Sequence, residues 1–146
     1  PGELTSPPSE TGDYVTLFCN SDGSQLFAHG LILVNRSEVF RKMLEEVDLK
    51  EKETREVVIQ EVGGESLKTF LKFLYTAQLN SEEMHAKYRE LVKLAHFYQV
   101  KLLLMKLDNF ISSEIVSKNA CIEILKMAYL YDLETTREAA LNLIVR

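Results

Sequence analysis

The sequence has little cysteine. Its two cysteines, Cys19 and Cys121, are far apart in the 146 residues, and neither belongs to a CxxC or Cys/His cluster. A disulfide framework or a zinc site is therefore not expected. Unpaired, reduced thiols are typical of an intracellular protein, in the cytoplasm, the nucleus or both.

Long hydrophobic runs are also absent. Runs such as residues 30–34 and 102–105 are far shorter than the ~20 residues that cross a bilayer, so no membrane association is expected. The first residues have no initiator Met, no basic segment and no apolar core, which predicts a linker or an excised fragment rather than a secretory signal.

Positive charge is scarce as well. Lys and Arg number 17 against 22 Asp and Glu, giving a net charge of −5. A nucleic-acid surface needs clustered cations to neutralise phosphates, so a protein partner is the better prediction. The hydrophobic share of 46% and the charged share of 27% are typical of one globular domain of this length.

Residue constellations for catalysis are missing. His29 lies between a predicted strand and an apolar segment with no nucleophile nearby, so we interpret it as a structural, hydrogen-bonded histidine. His85 and His96 are remote from each other, and residues 63–66 lack the lysine of a nucleotide-binding loop. No catalytic residue, metal or cofactor is expected, and the chain is predicted not to be an enzyme.

Segments rich in β-branched and aromatic residues predict a small sheet. Residues 14–19 and 25–28 flank the turn residues 20–24, which is typical of a β-hairpin, and residues 56–60 predict a third strand. Residues 1–12 contain Pro, Ser, Thr and Gly and predict a flexible lead-in.

Helical periodicity governs the rest of the chain. Residues 31–34 predict a short helix, and Ser37 is predicted to cap a second helix that ends near Asp48. The charged residues 48–55 predict a solvated loop, and residues 78–87 a polar break. Later apolar stripes at helical spacing are Leu67, Phe70, Leu71 and Leu74; Tyr88, Leu91, Ala95 and Tyr98; Leu103, Leu107, Phe110 and Ile111; Ile124, Leu125 and Ala128; and Leu133, Ala140, Leu141 and Ile144. Residues 102–105 and 130–133 are typical of core, with a partner-binding stripe as the alternative.

Ordered motifs from residue 13 to about 113 resemble the BTB/POZ family. They are Asp13-Tyr14-Val15-Thr16-Leu17; Phe27-Ala28-His29; Arg36-Ser37-Glu38-Val39-Phe40; Val57-Val58-Ile59; Phe70-Leu71-Lys72-Phe73-Leu74-Tyr75-Thr76; and Leu91-Val92-Lys93-Leu94-Ala95 with Tyr98. The resemblance implies an α/β (α+β) BTB/POZ fold, a small three-stranded sheet flanked by a helical cluster, with Asp13, His29, Ser37 and Phe40 as its signature. Residues 117–146 resemble the three-box, the C-terminal helical pair of cullin-3 adaptors.

The resemblance implies docking to the cullin-3 N-terminal region. Met43, Leu44 and Glu45 match the family's hydrophobic-x-Glu motif, in which an apolar side chain fills a groove and a carboxylate meets its polar rim. The predicted contacts are Met43, Leu44, Glu45, Asp48, Leu49, Tyr98, Ile122 and Leu125. A domain outside this chain would recruit the substrate protein. From spacing alone, Met43 could equally be a core residue.

The alternative implied by the resemblance is a homodimerising, co-repressor-binding domain of a transcriptional regulator. Its interface would include Leu17, Leu31, Ile32 and Val34. In that subgroup a Lys or Arg follows the family histidine and joins the aspartate at position 13 in a charged pocket, whereas this chain has Gly30 there. Residues 1–12 also supply no N-terminal helix, so a monomer or a reduced interface remains an alternative.

Overall fold

The structure is a computed structural model in which the chain folds as two units. The described residues are 2–5, 13–46, 50–116 and 122–144. The first unit comprises Pro1–Leu79 with Phe97–Val100, and the second comprises Asn80–His96 with Lys101–Arg146. None of the helices in the described ranges combines the length and the apolar character needed to cross a bilayer.

A three-stranded sheet forms one side of the first unit. The strands are β1 (Tyr14–Cys19), β2 (Gln25–His29) and β3 (Glu56–Ile59), in the order β2-β1-β3. β1 pairs with β2 antiparallel, with Leu17 opposite Leu26, and with β3 parallel, with Leu17 opposite Val57. Alternate residues of β1 and β3 are buried, as expected for a sheet with one face on a core. The predicted hairpin and third strand are confirmed.

Four α-helices lie in the described ranges of the first unit. They are α1 (Gly30–Arg36), α2 (Glu38–Glu45), α3 (Lys50–Thr54) and α4 (Gly64–Thr76). Both α1 and α4 contact β2. The predicted cap of α2 is confirmed, because the Ser37 hydroxyl accepts a hydrogen bond from the Phe40 backbone N–H at 3.1 Å and donates one to the Tyr98 carbonyl. The fully buried large side chains of this unit are Leu17, Leu33, Phe40, Leu44, Ile59, Leu67, Phe70, Leu71 and Leu74.

The predicted loop between α2 and β3 is wrong in part, because α3 (Lys50–Thr54) forms there. Its residues are mostly good helix formers, and Glu51 and Glu53 lie in its first turn, where negative charge is favourable. The mixed charges of residues 48–55 predict a solvated loop, but the same composition also suits a short helix at the surface.

The lead-in also contains an ordered element that the composition did not predict. Gly2–Thr5 form one 3-10 turn that contacts β2. Leu4 is buried within it, and it is the only large apolar residue among the first twelve. Burial of this single side chain explains why the segment orders at this point.

Helices make up most of the described part of the second unit. They are α5 (Ser81–Phe97, whose last residue belongs to the first unit), α6 (Lys101–Phe110) with a π-helical turn (Ile111–Ile115), α7 (Ile122–Leu130) and α8 (Glu134–Ile144). α8 contacts α6, the π-helical turn and α7. The predicted apolar stripes of this unit are largely confirmed. Its buried residues, taken over all of these helices, include Leu91, Leu103, Leu107, Ile111, Ile124, Leu133 and Ala140. The cap proposed around Ser117 lies outside the described residues.

The predicted polar break at residues 78–87 is too long, because α5 already begins at Ser81. The Asn80 side chain accepts a hydrogen bond from the Glu83 N–H at 2.8 Å, and the Glu83 carboxylate accepts one from the Asn80 N–H at 3.2 Å. This reciprocal pair is a capping box, which starts a helix within a polar segment.

A carboxylate from α6 caps the start of α8. Asp108 accepts hydrogen bonds from the Thr135 N–H at 3.1 Å, the Thr136 N–H at 2.8 Å and the Thr136 hydroxyl at 2.7 Å. The residue before α8 is Leu133, which has no side-chain acceptor of its own. Asp108 therefore supplies from a neighbouring helix the cap that α8 lacks locally.

Replacing Asp108 with alanine is expected to lower the free energy of unfolding by about 1–2 kcal/mol, the usual effect of removing a helix cap. Asp108→Asn keeps one acceptor oxygen for Thr136 and is expected to lose less. Urea unfolding followed by circular dichroism measures both variants. Equal stability of Asp108→Ala and wild type would contradict the capping role.

Asp22 caps α4 in the same way. Its carboxylate accepts hydrogen bonds from the Gly64 N–H at 2.8 Å and the Ser24 N–H at 2.9 Å. These two backbone donors, Gly64 first, hold the pKa of Asp22 below its ordinary value of 3.8. A Cβ at position 64 would overlap the Ser24 side chain, so only glycine permits this close approach.

Because the pKa of Asp22 is lowered, the stability of the fold is expected to depend on pH. A carboxyl with a lower pKa in the folded state stabilises the fold above its unfolded pKa, and the contribution disappears as pH falls through the folded pKa. Wild type is therefore expected to exceed Asp22→Asn in stability at neutral pH, and the difference should shrink below about pH 4. Urea titrations of both proteins between pH 7 and pH 2.5 test this, and a constant difference would contradict it.

Candidate protein-interaction site

The last turn of α2 carries the predicted contact residues Met43, Leu44 and Glu45, here named the docking tripeptide. Met43 is half-buried, Leu44 is 1% exposed and Glu45 is exposed. Consecutive helical residues point in different directions, so Leu44 anchors the turn in the core while its neighbours remain accessible. Met43 and Glu45 are the members of the tripeptide whose side chains reach the surface.

Charges of both signs lie on the exposed face of α2. Glu38 pairs with Arg41 at 2.7 Å one turn along the helix. Glu45 and Glu46 lie at the C-terminal end, where the helix dipole disfavours negative charge. Arg41 and Lys42, about one turn earlier, offset part of this negative charge, and both carboxylates remain exposed.

Tyr98 lies in an aromatic cluster of the first unit. Its ring stacks on Phe40 with centroids 4.3 Å apart, and burial raises the pKa of Tyr98 well above its usual range. Tyr98 is 3% exposed, whereas the adjacent Phe97 is 64% exposed with its ring edge-on to Tyr98 at 4.8 Å. The sequence already indicates which of the two rings is buried, because Tyr98 shares a helical stripe with Leu91 and Phe97 does not.

The other predicted contacts lie in the second unit or outside the described residues. Ile122 on α7 is exposed, and Leu125 is half-buried. Asp48 and Leu49 lie outside the described residues. Exposed apolar side chains that were not assigned to a partner are Leu102, Met105, Tyr129 and Leu130. The core interpretation of residues 102–105 and 130–133 therefore holds for Leu103 and Leu133 only.

The predicted dimer residues differ in exposure. Leu17 is fully buried in β1, so its side chain belongs to the core of the first unit. On α1, Leu31 is 69% exposed, and Ile32 and Val34 are half-buried. The accessible part of this set is therefore a short apolar face of α1.

His29 of the fold signature is exposed and hydrogen-bonded. Its backbone N–H donates to the Tyr75 hydroxyl at 2.8 Å, and its Nδ1 lies 2.8 Å from the same oxygen. The two contacts tie the end of β2 to α4.

Asp13 has a cationic partner that sequence reasoning missed. The Arg55 guanidinium approaches it through Nε to Oδ1 and Nη2 to Oδ2, both at 3.1 Å. A Cβ on Gly30 would lie 2.6 Å from Asp13 Oδ2. Position 30 carries no cation, and the cation beside Asp13 comes instead from Arg55, at the junction of α3 and β3. Separation by 42 residues hid this pair from motif reading.

Known proteins are similar to this chain in sequence. The BTB/POZ domain model matches residues 6–115. The Arabidopsis thaliana BTB/POZ domain-containing protein At4g08455 is 30% identical over 144 residues, which cover 97% of this chain and 58% of that protein. The Caenorhabditis elegans BTB and MATH domain-containing protein 42 is 28% identical over 92 residues, covering 63% of this chain and 22% of that protein.

A solved structure is similar in fold. The BTB domain of zebrafish PATZ1 matches with a TM-score of 0.55 at 18% identity, covering 68% of this chain and 75% of that one. The chain spans about half the length of three curated relatives, at 44%, 58% and 54%. The small sheet with its helical cluster is the fold expected from the sequence match over residues 6–115. The chain therefore belongs to the BTB/POZ domain family, a protein–protein interaction module.

Proposed function

We propose that this chain is the scaffold-docking domain of a substrate adaptor and that it binds the N-terminal region of cullin-3 through the C-terminal end of α2. The domain itself carries out no chemistry. It would bring a bound substrate close to the ubiquitin-transfer machinery, so that tethering raises the local substrate concentration. The proposal implies an intracellular protein, in the cytoplasm, the nucleus or both.

The observation that carries the proposal is the exposure pattern of the docking tripeptide. The end of α2 leaves a half-buried methionine beside an exposed carboxylate, a combination that internal packing of the helix does not require. A half-buried methionine is a suitable contact residue, because its flexible thioether adapts to an irregular apolar groove. Glu45 beside it would meet a polar or cationic rim.

The second unit would contribute an additional apolar contact. Ile122 and Leu125 lie one turn apart on α7 and have exposed or half-exposed side chains. They belong to the segment that resembles the three-box, which is the reason to assign them to the same partner.

The lengths of the relatives support a modular adaptor. The chain matches 22% of the BTB and MATH domain-containing protein 42 and 31% of the Arabidopsis BTB/POZ and TAZ domain-containing protein 5, whose names each give a second domain. By analogy, the substrate would bind a domain outside residues 1–146.

Co-elution tests the proposal. Size-exclusion chromatography with light scattering of the domain mixed with the purified cullin-3 N-terminal region is expected to give a peak with the mass of the complex. The same mixture with the N-terminal region of a different cullin is the control and should give separate peaks. Separate peaks with cullin-3 at micromolar concentrations would refute the proposed partner.

Self-association is a second candidate function, and the exposed Leu31 on α1 favours it. A leucine 69% exposed next to the half-buried Ile32 and Val34 leaves an apolar face that a second copy could cover. Light scattering of the domain alone is expected to give a dimer mass for wild type and a monomer mass for Leu31→Glu. A monomeric wild type across the micromolar range would remove this candidate.

A further inference from the structure

The Arg55 side chain joins the beginning of β1 to the last turn of α2. Two of its nitrogens contact the Asp13 carboxylate at 3.1 Å, and Nη1 donates a hydrogen bond to the Leu44 carbonyl at 3.3 Å. Leu44 is the central residue of the docking tripeptide. One guanidinium group therefore connects the sheet with the backbone between Met43 and Glu45.

Helix chemistry explains why a cation is useful at this point. The carbonyls in the last turn of a helix lack intrahelical partners and carry partial negative charge. Glu45 and Glu46 add two carboxylates to the same end. Arg41 and Lys42 offset part of this negative charge, and Arg55 adds a further positive charge and a donor for the Leu44 carbonyl.

Arg55 is itself held in place by its backbone. Its N–H donates to the Glu51 carbonyl at 2.9 Å, and its carbonyl accepts from the Thr16 N–H at 2.9 Å. Its φ of 56° lies in the left-handed region, where the chain leaves α3 and enters β3. The guanidinium therefore starts from a fixed point on the sheet.

We propose that Arg55 is a positioning residue that fixes the C-terminal end of α2 through the Leu44 carbonyl and so orients Met43 and Glu45 for their partner. The part of this inference that concerns the partner rests on the proposed function. Asp13 acts with Arg55, because its carboxylate sets the direction of the guanidinium.

The test compares Arg55→Asn with a matched arginine. Asn removes the guanidinium and tolerates a left-handed backbone better than Ala does. The control is Arg36→Ala. Arg36 makes the same kind of contact at another place, because its Nε donates a hydrogen bond to the Leu74 carbonyl of α4 at 3.1 Å. Amide hydrogen exchange of residues 44–46 and the Kd for the cullin-3 N-terminal region are measured for both variants.

Arg55→Asn is expected to speed exchange at residues 44–46 and to raise the Kd roughly five- to tenfold, the scale of one charge-assisted hydrogen bond discounted for exposure. Arg36→Ala is expected to change neither, even where it lowers the unfolding midpoint equally. Arg55→Lys, which keeps the charge opposite Asp13, is expected to recover part of the affinity. In an Asp13→Asn background the effect of Arg55→Asn should become smaller.

The two proposals fail separately. Unchanged exchange at residues 44–46 in Arg55→Asn and in Arg55→Lys would overturn the positioning role, whatever the binding result. Faster exchange with an unchanged Kd would overturn the link between Arg55 and the partner. If wild type itself does not bind cullin-3, the proposed function fails, and the exchange comparison still decides whether Arg55 fixes α2.

Discussion

Replacing Phe40 with alanine is expected to lower the free energy of unfolding by about 3–5 kcal/mol, the usual range for a buried phenylalanine. Phe40 is fully buried, and its ring stacks on Tyr98 with an interplanar angle of 1°. The change removes apolar contacts, leaves a cavity in the first unit and abolishes the ring stacking. The backbone N–H that bonds the Ser37 hydroxyl is kept in the variant, so the loss reports the side chain and not the helix cap.

Phe97→Ala is the matched control for Phe40→Ala. Phe97 contacts the same Tyr98 ring at 4.8 Å but is 64% exposed, so its removal should lower stability by less than about 1 kcal/mol. Urea unfolding followed by tyrosine fluorescence measures both variants. Equal losses for the two phenylalanines would contradict the assignment of Phe40 to the core.

Replacing Met43 with alanine is expected to weaken binding of the cullin-3 N-terminal region by about 1–3 kcal/mol, which corresponds to roughly five- to 150-fold in Kd. The half-buried Met43 makes fewer internal contacts than its buried neighbour Leu44, so its truncation should affect the complex more than the fold. Isothermal titration calorimetry gives the Kd, and urea unfolding gives the change in stability.

Two controls distinguish a specific contact at Met43 and Glu45 from the loss of any exposed apolar side chain or of any negative charge. Leu31→Ala removes a more exposed apolar side chain on α1 and should leave the Kd unchanged. Glu46→Ala removes the same charge as Glu45→Ala from the adjacent position and should weaken binding less. Equal effects of the two glutamates would indicate long-range electrostatics without a specific rim contact.

Local patterns predicted most of the elements of the fold. The hairpin, the third strand and α4 follow from periods of two and 3.6 residues, which directly report which face is buried. The errors lie in polar segments, at α3 and at the start of α5. There, charge near a helix end and a capping box form helix without an apolar stripe.

The candidate site was less predictable, because it depends on tertiary partners. Period alone grouped Met43 with the buried Phe40, and only the structure distinguishes their exposure. Tyr98 was selected by motif, although its stripe already indicated burial and the exposed ring belongs to Phe97. The Arg55 contact with Asp13 spans 42 residues and has no local signature.

Hydrogen–deuterium exchange of the domain with and without the cullin-3 N-terminal region tests the docking assignment most directly. Slower exchange is expected in the complex at residues 43–46, at the end of α2, with little change in β2 or at Leu31. A complex that protects α1 and leaves residues 43–46 unchanged would contradict it.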